Sequence, residues 1–447
     1  MRRLLLATAL LSLSVPATAD AATRWVVKGG GWGHGLGMSQ YGAYGQALEG
    51  RGYRTILRHY YSRTQLSQAT GSVRVLLLAS VRSSTFGGAN RVGSHTVKPG
   101  RNYIVRRSGG SIVVKTPRGK RIARSSGVIR VTGPEELVTV AGKGVYRDVI
   151  EYRPGLSGGV TAVNKVELEN YIRGVVPNES PASWPIEALK AQAVAARSYA
   201  LGTGTGNPVF DQYDTVASQV YGGYSSEQTR TNLAVARTRG EVLRYQGKVI
   251  VAYFHSTSGG HTENNENIFA GDTPLPYIRG VPDPWDKTSP YHRWRLSYSA
   301  RRLGDALGVG RLRSVNVTKR GVSGRIVWAT FRGRNGRNRL HGWGDIRSRL
   351  TLRDAPSKFI KITARGSTAR AAVAGAGSRA LARDIVGDVA PARSGAPVVV
   401  ERRTATGWKQ VAETHVRRSG KFRVALSDRG RYRVIADGDA GPAVHVR

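Results

Sequence analysis

Glu179 is the residue in this chain whose setting most suits acid chemistry. It lies in Val175-Val176-Pro177-Asn178-Glu179-Ser180-Pro181-Ala182-Ser183-Trp184-Pro185, between two prolines that stiffen the backbone. A carboxylate held this way just ahead of a rigid helix is a candidate general acid. The same residue could cap that helix or pair with an arginine. Two further stretches carry reactive side chains. In Gly29-Gly30-Gly31-Trp32-Gly33-His34-Gly35-Leu36-Gly37-Met38-Ser39-Gln40-Tyr41-Gly42, glycines surround His34, Ser39 and Gln40, and such a backbone can approach a ligand closely. It lacks Gly-Lys-Ser/Thr, so a nucleotide phosphate loop is not supported. In His255-Ser256-Thr257-Ser258-Gly259-Gly260-His261-Thr262-Glu263, polar side chains and a glycine pair follow an apolar strand, a common way to present a site.

Several reaction classes can be tested on these residues. A serine hydrolase would use Ser256 or Ser258 with His255 or His261, but no Gly-x-Ser-x-Gly elbow surrounds either serine. Zinc would need three nitrogen or oxygen ligands, and the spacing of His255 and His261 matches no strong zinc motif. Glycosidic cleavage needs a carboxylic acid that protonates the leaving oxygen, and Glu179 is placed for it. A two-carboxylate hydrolase would add Asp211, Asp214 or Glu263 as partner.

The elements that must position these groups follow from the pattern. Ile186, Leu189, Ala193, Ala196 and Ala200 recur at helical spacing and predict a helix after Pro185, with one alanine-rich buried face. Residues 43–61 read as a helix or helix pair, and residues 228–238 as another helix. Residues 72–166 read as an antiparallel sheet region, with strands at 73–78, 111–114, 137–140, 146–152 and 160–166. Gln246-Gly247 between two apolar runs predicts a hairpin. The expected class is α+β, mixed sheets with Ala-rich helices, followed by a C-terminal all-β, sandwich-like module. The boundaries read as a signal peptide at 1–21, a main domain at 22–362 that holds the motifs, a linker at 363–383 rich in Ala, Gly, Ser and Thr, and the module at 384–447.

Composition narrows the function. Lys+Arg 69 against Asp+Glu 29 gives a net charge of +40, which attracts polyanions. Met1-Arg2-Arg3, an apolar run from Leu4 to Val15 and small residues around Ala19 and Ala21 read as a secretory signal, too short to span as a stable anchor. An exported chain argues against nucleic acid as the partner. With no cysteine, disulfides and thiolate metal sites are excluded.

Four motifs together resemble one family. They are the run from Glu169 through Glu179, the run from Trp184 to Ala200, Ser218-Gln219-Val220-Tyr221-Gly222-Gly223, and His255-Ser256-Thr257-Ser258-Gly259-Gly260-His261-Thr262. They resemble the stage II sporulation protein D and amidase-enhancer family over about residues 25–362. The resemblance implies an exported, wall-associated lytic transglycosylase, cutting peptidoglycan glycan strands between N-acetylmuramic acid and N-acetylglucosamine. It places the catalytic glutamate on Glu179, and His34, Ser39, Gln40, Gln219, Tyr221, His255, Ser256, Ser258, Gly259 and Gly260 on the substrate side. Some family members hold zinc near the Ser-Gly-Gly motif with cysteines and a histidine; this chain keeps His255 and His261 but has no cysteine, so no metal and no cofactor are expected. Glu179 would protonate the glycosidic oxygen, then act as base while the muramoyl 6-hydroxyl closes an anhydro ring. The amidase-enhancer branch implies an alternative, a non-catalytic wall-binding partner of an amidase. Anionic wall polymers are a further expected partner. The motif at residues 33–42 usually closes the family's domain but opens this one, so the chain reads as circularly permuted. That order expects the segment ending near Phe359 to lie beside residue 25. A general acid needs a raised pKa. A following helix N-terminus would favour the anion, and burial against Trp184 or similar groups would have to outweigh it.

Overall fold

The computed structural model describes residues 22–370 and 381–446, so the expected signal peptide lies outside the described residues. The fold is a mixed α/β arrangement with several largely antiparallel sheets and a C-terminal all-β region.

Five helices surround the site: α1 (Gln40–Leu48), α2 (Tyr53–Tyr60), α3 (Leu168–Glu179), α4 (Ile186–Gly202) and α5 (Thr229–Arg237). The alanine-rich face of α4 is half of the story. Leu189, Ala193, Ala196 and Ala200 pack towards α3 and the sheets, in a core with Val75, Val138, Tyr152 and Tyr171. Ala191, Val194 and Ala195 pack on the other side, in a separate core with α1 and α2. Small side chains all round let the neighbouring helices approach closely, so α4 is a buried axis and not an amphipathic surface helix.

A seven-stranded and a six-stranded sheet flank this axis. The expected strand at 146–152 is two strands, Gly144–Arg147 and Val149–Pro154, in different sheets. The break is Asp148 at φ 65°, whose carboxylate accepts the Glu167 N–H at 2.6 Å and the Asn170 amide at 3.1 Å. An aspartate tolerates the left-handed region and bonds locally, so an alternating run can be cut there without a glycine.

The expected linker differs most. Residues 363–370 continue the strand Lys358–Arg370, which pairs along its length with Leu381–Ala390. The N-terminal strand Ala22–Gly29 pairs with the same strand, Val27 opposite Phe359, so residue 25 does lie beside the segment ending near Phe359. The C-terminal region is thus not a self-contained module. Val26, Ile360 and Ile362 share one core with Ile385, Val398, Tyr432, Val434 and Val444. Ile360, Ile362 and Ala364 alternate onto that core as one apolar face, of which only Ala364 falls inside the expected linker.

Candidate functional site

Glu179 is the last residue of α3. Pro177 stands in the final turn and leaves the Arg173 carbonyl without its intrahelical N–H partner, which weakens the helix just before its end. Ser180 precedes Pro181 and is extended, at φ −140° and ψ 131°, as a residue before proline prefers. The two prolines therefore stop α3 at Glu179. This reverses the electrostatic expectation: the carboxyl sits at a helix C-terminus, whose carbonyls disfavour the anion.

Glu179 is half-buried, and burial raises its pKa. Two donors oppose the shift. The Val220 N–H donates to Oε1 at 3.0 Å, and the Gln40 amide donates to Oε2 at 3.4 Å. Burial outweighs them, giving a carboxyl displaced towards the protonated form yet held at both oxygens. Such a group can lose its proton and remain in place.

Each donor is itself braced. Gln40 is the first residue of α1, whose N-cap Ser39 accepts the Gly42 N–H at 3.0 Å. The Gln40 amide also reaches Gln192 Oε1 on α4 at 3.4 Å. Val220 lies in a loop tied down on both sides. The Tyr171 hydroxyl donates to Gln219 Oε1 at 3.0 Å, and the Gln219 amide donates to the Ala196 carbonyl. The Tyr221 hydroxyl donates to Asn164 Oδ1 at 2.7 Å, and the Gly222 N–H donates to the Gly174 carbonyl. Ser39, Gln219 and Tyr221 are buried and engaged, so the structure places these three behind the site, where they hold the groups that touch Glu179.

The other two motif stretches meet beside Gln40. The strands Met38–Ser39 and Phe254–His255 pair in parallel, and the Tyr41 N–H donates to the Ser256 carbonyl. His34 and His255 have ring centroids 5.5 Å apart. His34 Nδ1 accepts the Leu36 N–H at 3.0 Å, and His255 Nδ1 lies 3.0 Å from the Leu36 carbonyl. Those partners place the protons on His34 Nε2 and His255 Nδ1. Burial, with Arg325 nearby, pushes His34 down to about 4. Burial and the neighbouring His34 and Arg325 hold His255 well below its ordinary value. Both rings are neutral at neutral pH, and His255 is buried.

Ser258, Gly259 and Gly260 are turned inward. The Ser258 hydroxyl and the Gly259 N–H donate to Asp286 Oδ2 at 3.0 and 2.6 Å, and the Gly260 N–H does so at 3.3 Å. Positive φ at Gly259 (68°) and Gly260 (95°) points successive N–H groups at one carboxylate, a backbone nest. A Cβ on Gly259 would also collide with the backbone of Gly30. Ser256 lies 3.2 Å, Oγ to Oγ, from Thr257. No histidine bonds to either serine hydroxyl among the described residues, which leaves the serine-hydrolase reading without its base.

The three possible carboxylate partners of Glu179 are held elsewhere. Asp211 pairs with Arg74 and Asp214 with Lys143, both at 2.6 Å. Glu263 accepts from the Asn267 amide and from the Val322 and Ser323 N–H groups. Residues that sequence reasoning passed over include the Val220 N–H, Gln192 and Tyr199. The charge on Glu179 contributes to raising Tyr199 to about 12, though burial is the larger cause, and the Tyr199 ring lies 5.9 Å from Tyr253, which neighbours His34. Gln192 and Tyr199 stand seven residues apart on α4, on one helix face, and that spacing was the available signal.

Residues 156–245, which contain Glu179 and the Gln219–Gly223 loop, match the SpoIID family, described as Stage II sporulation protein. The chain carries a SpoIID domain. It is 45% identical over 133 residues to the amidase enhancer of Bacillus subtilis, covering 30% of this chain and 17% of that protein. It is 32% identical over 231 residues to the stage II sporulation protein D of the same organism, covering 46% of this chain and 65% of that protein. An uncharacterized protein of Brachyspira hyodysenteriae is 45% identical over 122 residues, 27% of this chain and 33% of its own length. The chain thus spans a third or less of two of these relatives and just under two thirds of the other. The His34–Gln40 and His255–Gly260 stretches lie outside the matched SpoIID residues, and their link to Glu179 is geometric.

Proposed function

We propose that this protein is an exported lytic transglycosylase that cleaves peptidoglycan glycan strands at Glu179. The observation that carries the reading is the state of that carboxyl. It is half-buried, displaced towards the protonated form, at a helix C-terminus, with a fixed donor on each oxygen. In the proposed reaction the Glu179 proton passes to the glycosidic oxygen as its bond to the muramoyl C1 breaks. The carboxylate left behind is stabilised by the Val220 N–H and the Gln40 amide. It then accepts the proton of the muramoyl C6 hydroxyl as that oxygen bonds to C1, which closes the anhydro ring and restores the acid. One carboxyl serves both steps, consistent with the commitment of Asp211, Asp214 and Glu263 to other partners. Among the described residues no helix is long and apolar enough to cross a membrane, in keeping with a wall-associated protein. The pairing of Ala22–Gly29 with Lys358–Arg370 supports the permuted order, since it joins the two ends that permutation would separate.

A second reading has its own support: the higher identity over the shorter match is to an amidase enhancer. The test is incubation of the protein with purified glycan strands, with and without stem peptides, followed by mass analysis. Anhydro-muramoyl ends support the transglycosylase. No new ends on either substrate, together with faster release of stem peptides by an added amidase, supports the enhancer.

A further inference from the structure

A cleft of about 870 Å3 lies apart from Glu179, between the strand Leu312–Arg320 and the sheet formed by Ala22–Gly29, Lys358–Arg370 and Leu381–Ala390. Its wall includes Arg313, Arg320, Lys358 and Lys361, and among the described residues no acidic one lines it. Register explains the layout. Tyr298, Trp25, Lys361 and Ala390 are opposite one another across four adjacent strands, so Lys361 is presented from the middle of a sheet and not from a loop. Arg313, Val315 and Val317 lie along the facing strand. Among the described residues, Arg313, Lys358 and Lys361 form no salt bridge. Arg320 donates only to the Gly324 and Ser357 carbonyls, which leaves its charge unneutralised. Converging cations on a rigid sheet repel one another, and a multivalent anion would relieve that repulsion. Trp25 adds a second observation: it lines the cleft, is buried, and its indole N–H has no hydrogen-bond partner among the described residues.

We infer that this cleft binds a linear polyanion that lacks aromatic bases, carrying phosphodiester or carboxylate groups. Single-stranded nucleic acid binding depends on exposed aromatic platforms, and here both cleft aromatics, Trp25 and Phe359, are buried. The cations that line the cleft supply the affinity. The inference does not rest on the glycan-cleaving reading, because the cleft is remote from Glu179 and uses none of its residues.

The test measures binding of the full chain to poly(glycerol phosphate), polygalacturonate and oligo-dT at two salt concentrations. The triple variant Arg313→Gln, Lys358→Gln, Lys361→Gln is compared with Arg118→Gln, Lys120→Gln, Arg121→Gln, which removes the same charge from an exposed hairpin. The cleft variant is expected to lose roughly tenfold or more in affinity for one of the two base-free polymers, and its salt slope to fall by about two to three. The polymer that is bound more tightly identifies the anion. Equal losses in the two variants, tighter binding of oligo-dT, or binding of no polymer would overturn the inference. Lys358→Arg with Lys361→Arg should bind as the parent does, and matched melting temperatures separate lost binding from lost fold.

Discussion

The helix pair that carries Glu179 is joined by a buried ion pair, and removing one partner should be the most damaging single change in this region. Arg197 on α4 is fully enclosed. Its Nε and Nη2 donate to the two Glu169 oxygens on α3 at 2.8 and 2.9 Å, and Nη1 donates to the Glu241 carbonyl at 3.0 Å. Glu169 also accepts the Gly240 N–H at 3.1 Å. Glu169→Gln keeps the shape but leaves a guanidinium charge in the interior without its counter-ion. Breaking a buried pair in this way costs about 3–5 kcal/mol. With a urea dependence of about 3 kcal/mol per molar, the unfolding midpoint should fall by about 1–2 M. The assay is urea unfolding of the parent, Glu169→Gln, Arg197→Met and the combined Glu169→Leu, Arg197→Met. The double variant should be less destabilised than the sum of its parts, because no lone charge remains. A Glu169→Gln midpoint within about 0.3 M of the parent, or strictly additive losses, would refute the reasoning.

Three further outcomes follow from the same physics. Burial and the nearby Asp286 raise Asp283 to about 6 from its ordinary 3.8. The folded state then holds a proton that the unfolded state gives up between these values, so this group's contribution to stability is present below pH 3.8 and is lost as pH rises through 6. The loss corresponds to about 3 kcal/mol, and Asp283→Asn should flatten the fall in melting temperature between pH 4 and pH 7.5; an unchanged profile contradicts it. Truncation after Arg365 uncovers Val26, Ile360 and Ile362, at a cost of about 4–9 kcal/mol, and should yield an aggregating or early-melting protein, whereas a soluble fragment with the parent's melting temperature would show that the C-terminal strands are dispensable. Gln40→Leu removes a donor that favours the Glu179 carboxylate. The alkaline limb of any glycan-cleaving activity should therefore move to higher pH, and a move to lower pH would mean that Gln40 acts otherwise.

Much of the site was legible because its signals are local. Two prolines bracketing Glu179, alanines at helical spacing after Pro185 and glycines between His34 and Gln40 each dictate backbone behaviour within a few residues. Residues 167–175 read as a short helix or turn because Pro177 looks like a breaker, and only the fold shows that the helix runs on through Pro177 to Glu179. That single misplacement changed the sign of the helix contribution to the carboxyl. The strand at residues 363–370 is hidden by linker-like composition: its partner Leu381–Ala390 is near in sequence, but Ala, Gly, Ser and Thr give no alternating apolar signal, and only Thr363 and Ala364 reach Thr23 and Ala22. Tyr221, Gln219 and Ser258 read as substrate-facing because polar side chains near a motif look available. Their hydroxyls and amides are spent on Asn164, Ala196 and Asp286. The Val220 N–H carries no side-chain signal at all.

The central claim is that Glu179 is the acid and base of glycan cleavage, and its most direct test is the product analysis of Glu179→Gln. The variant should keep the parent's melting temperature and wall binding, because the glutamine oxygen can still accept the Val220 N–H, and its NH2 meets Gln40, whose amide can rotate to present its own oxygen. The account predicts that anhydro-muramoyl ends made by the parent fall by about 100-fold or more in the variant, the scale on which general acid catalysis contributes. Glu179→Gln protein that generates such ends at the parent's rate would contradict it.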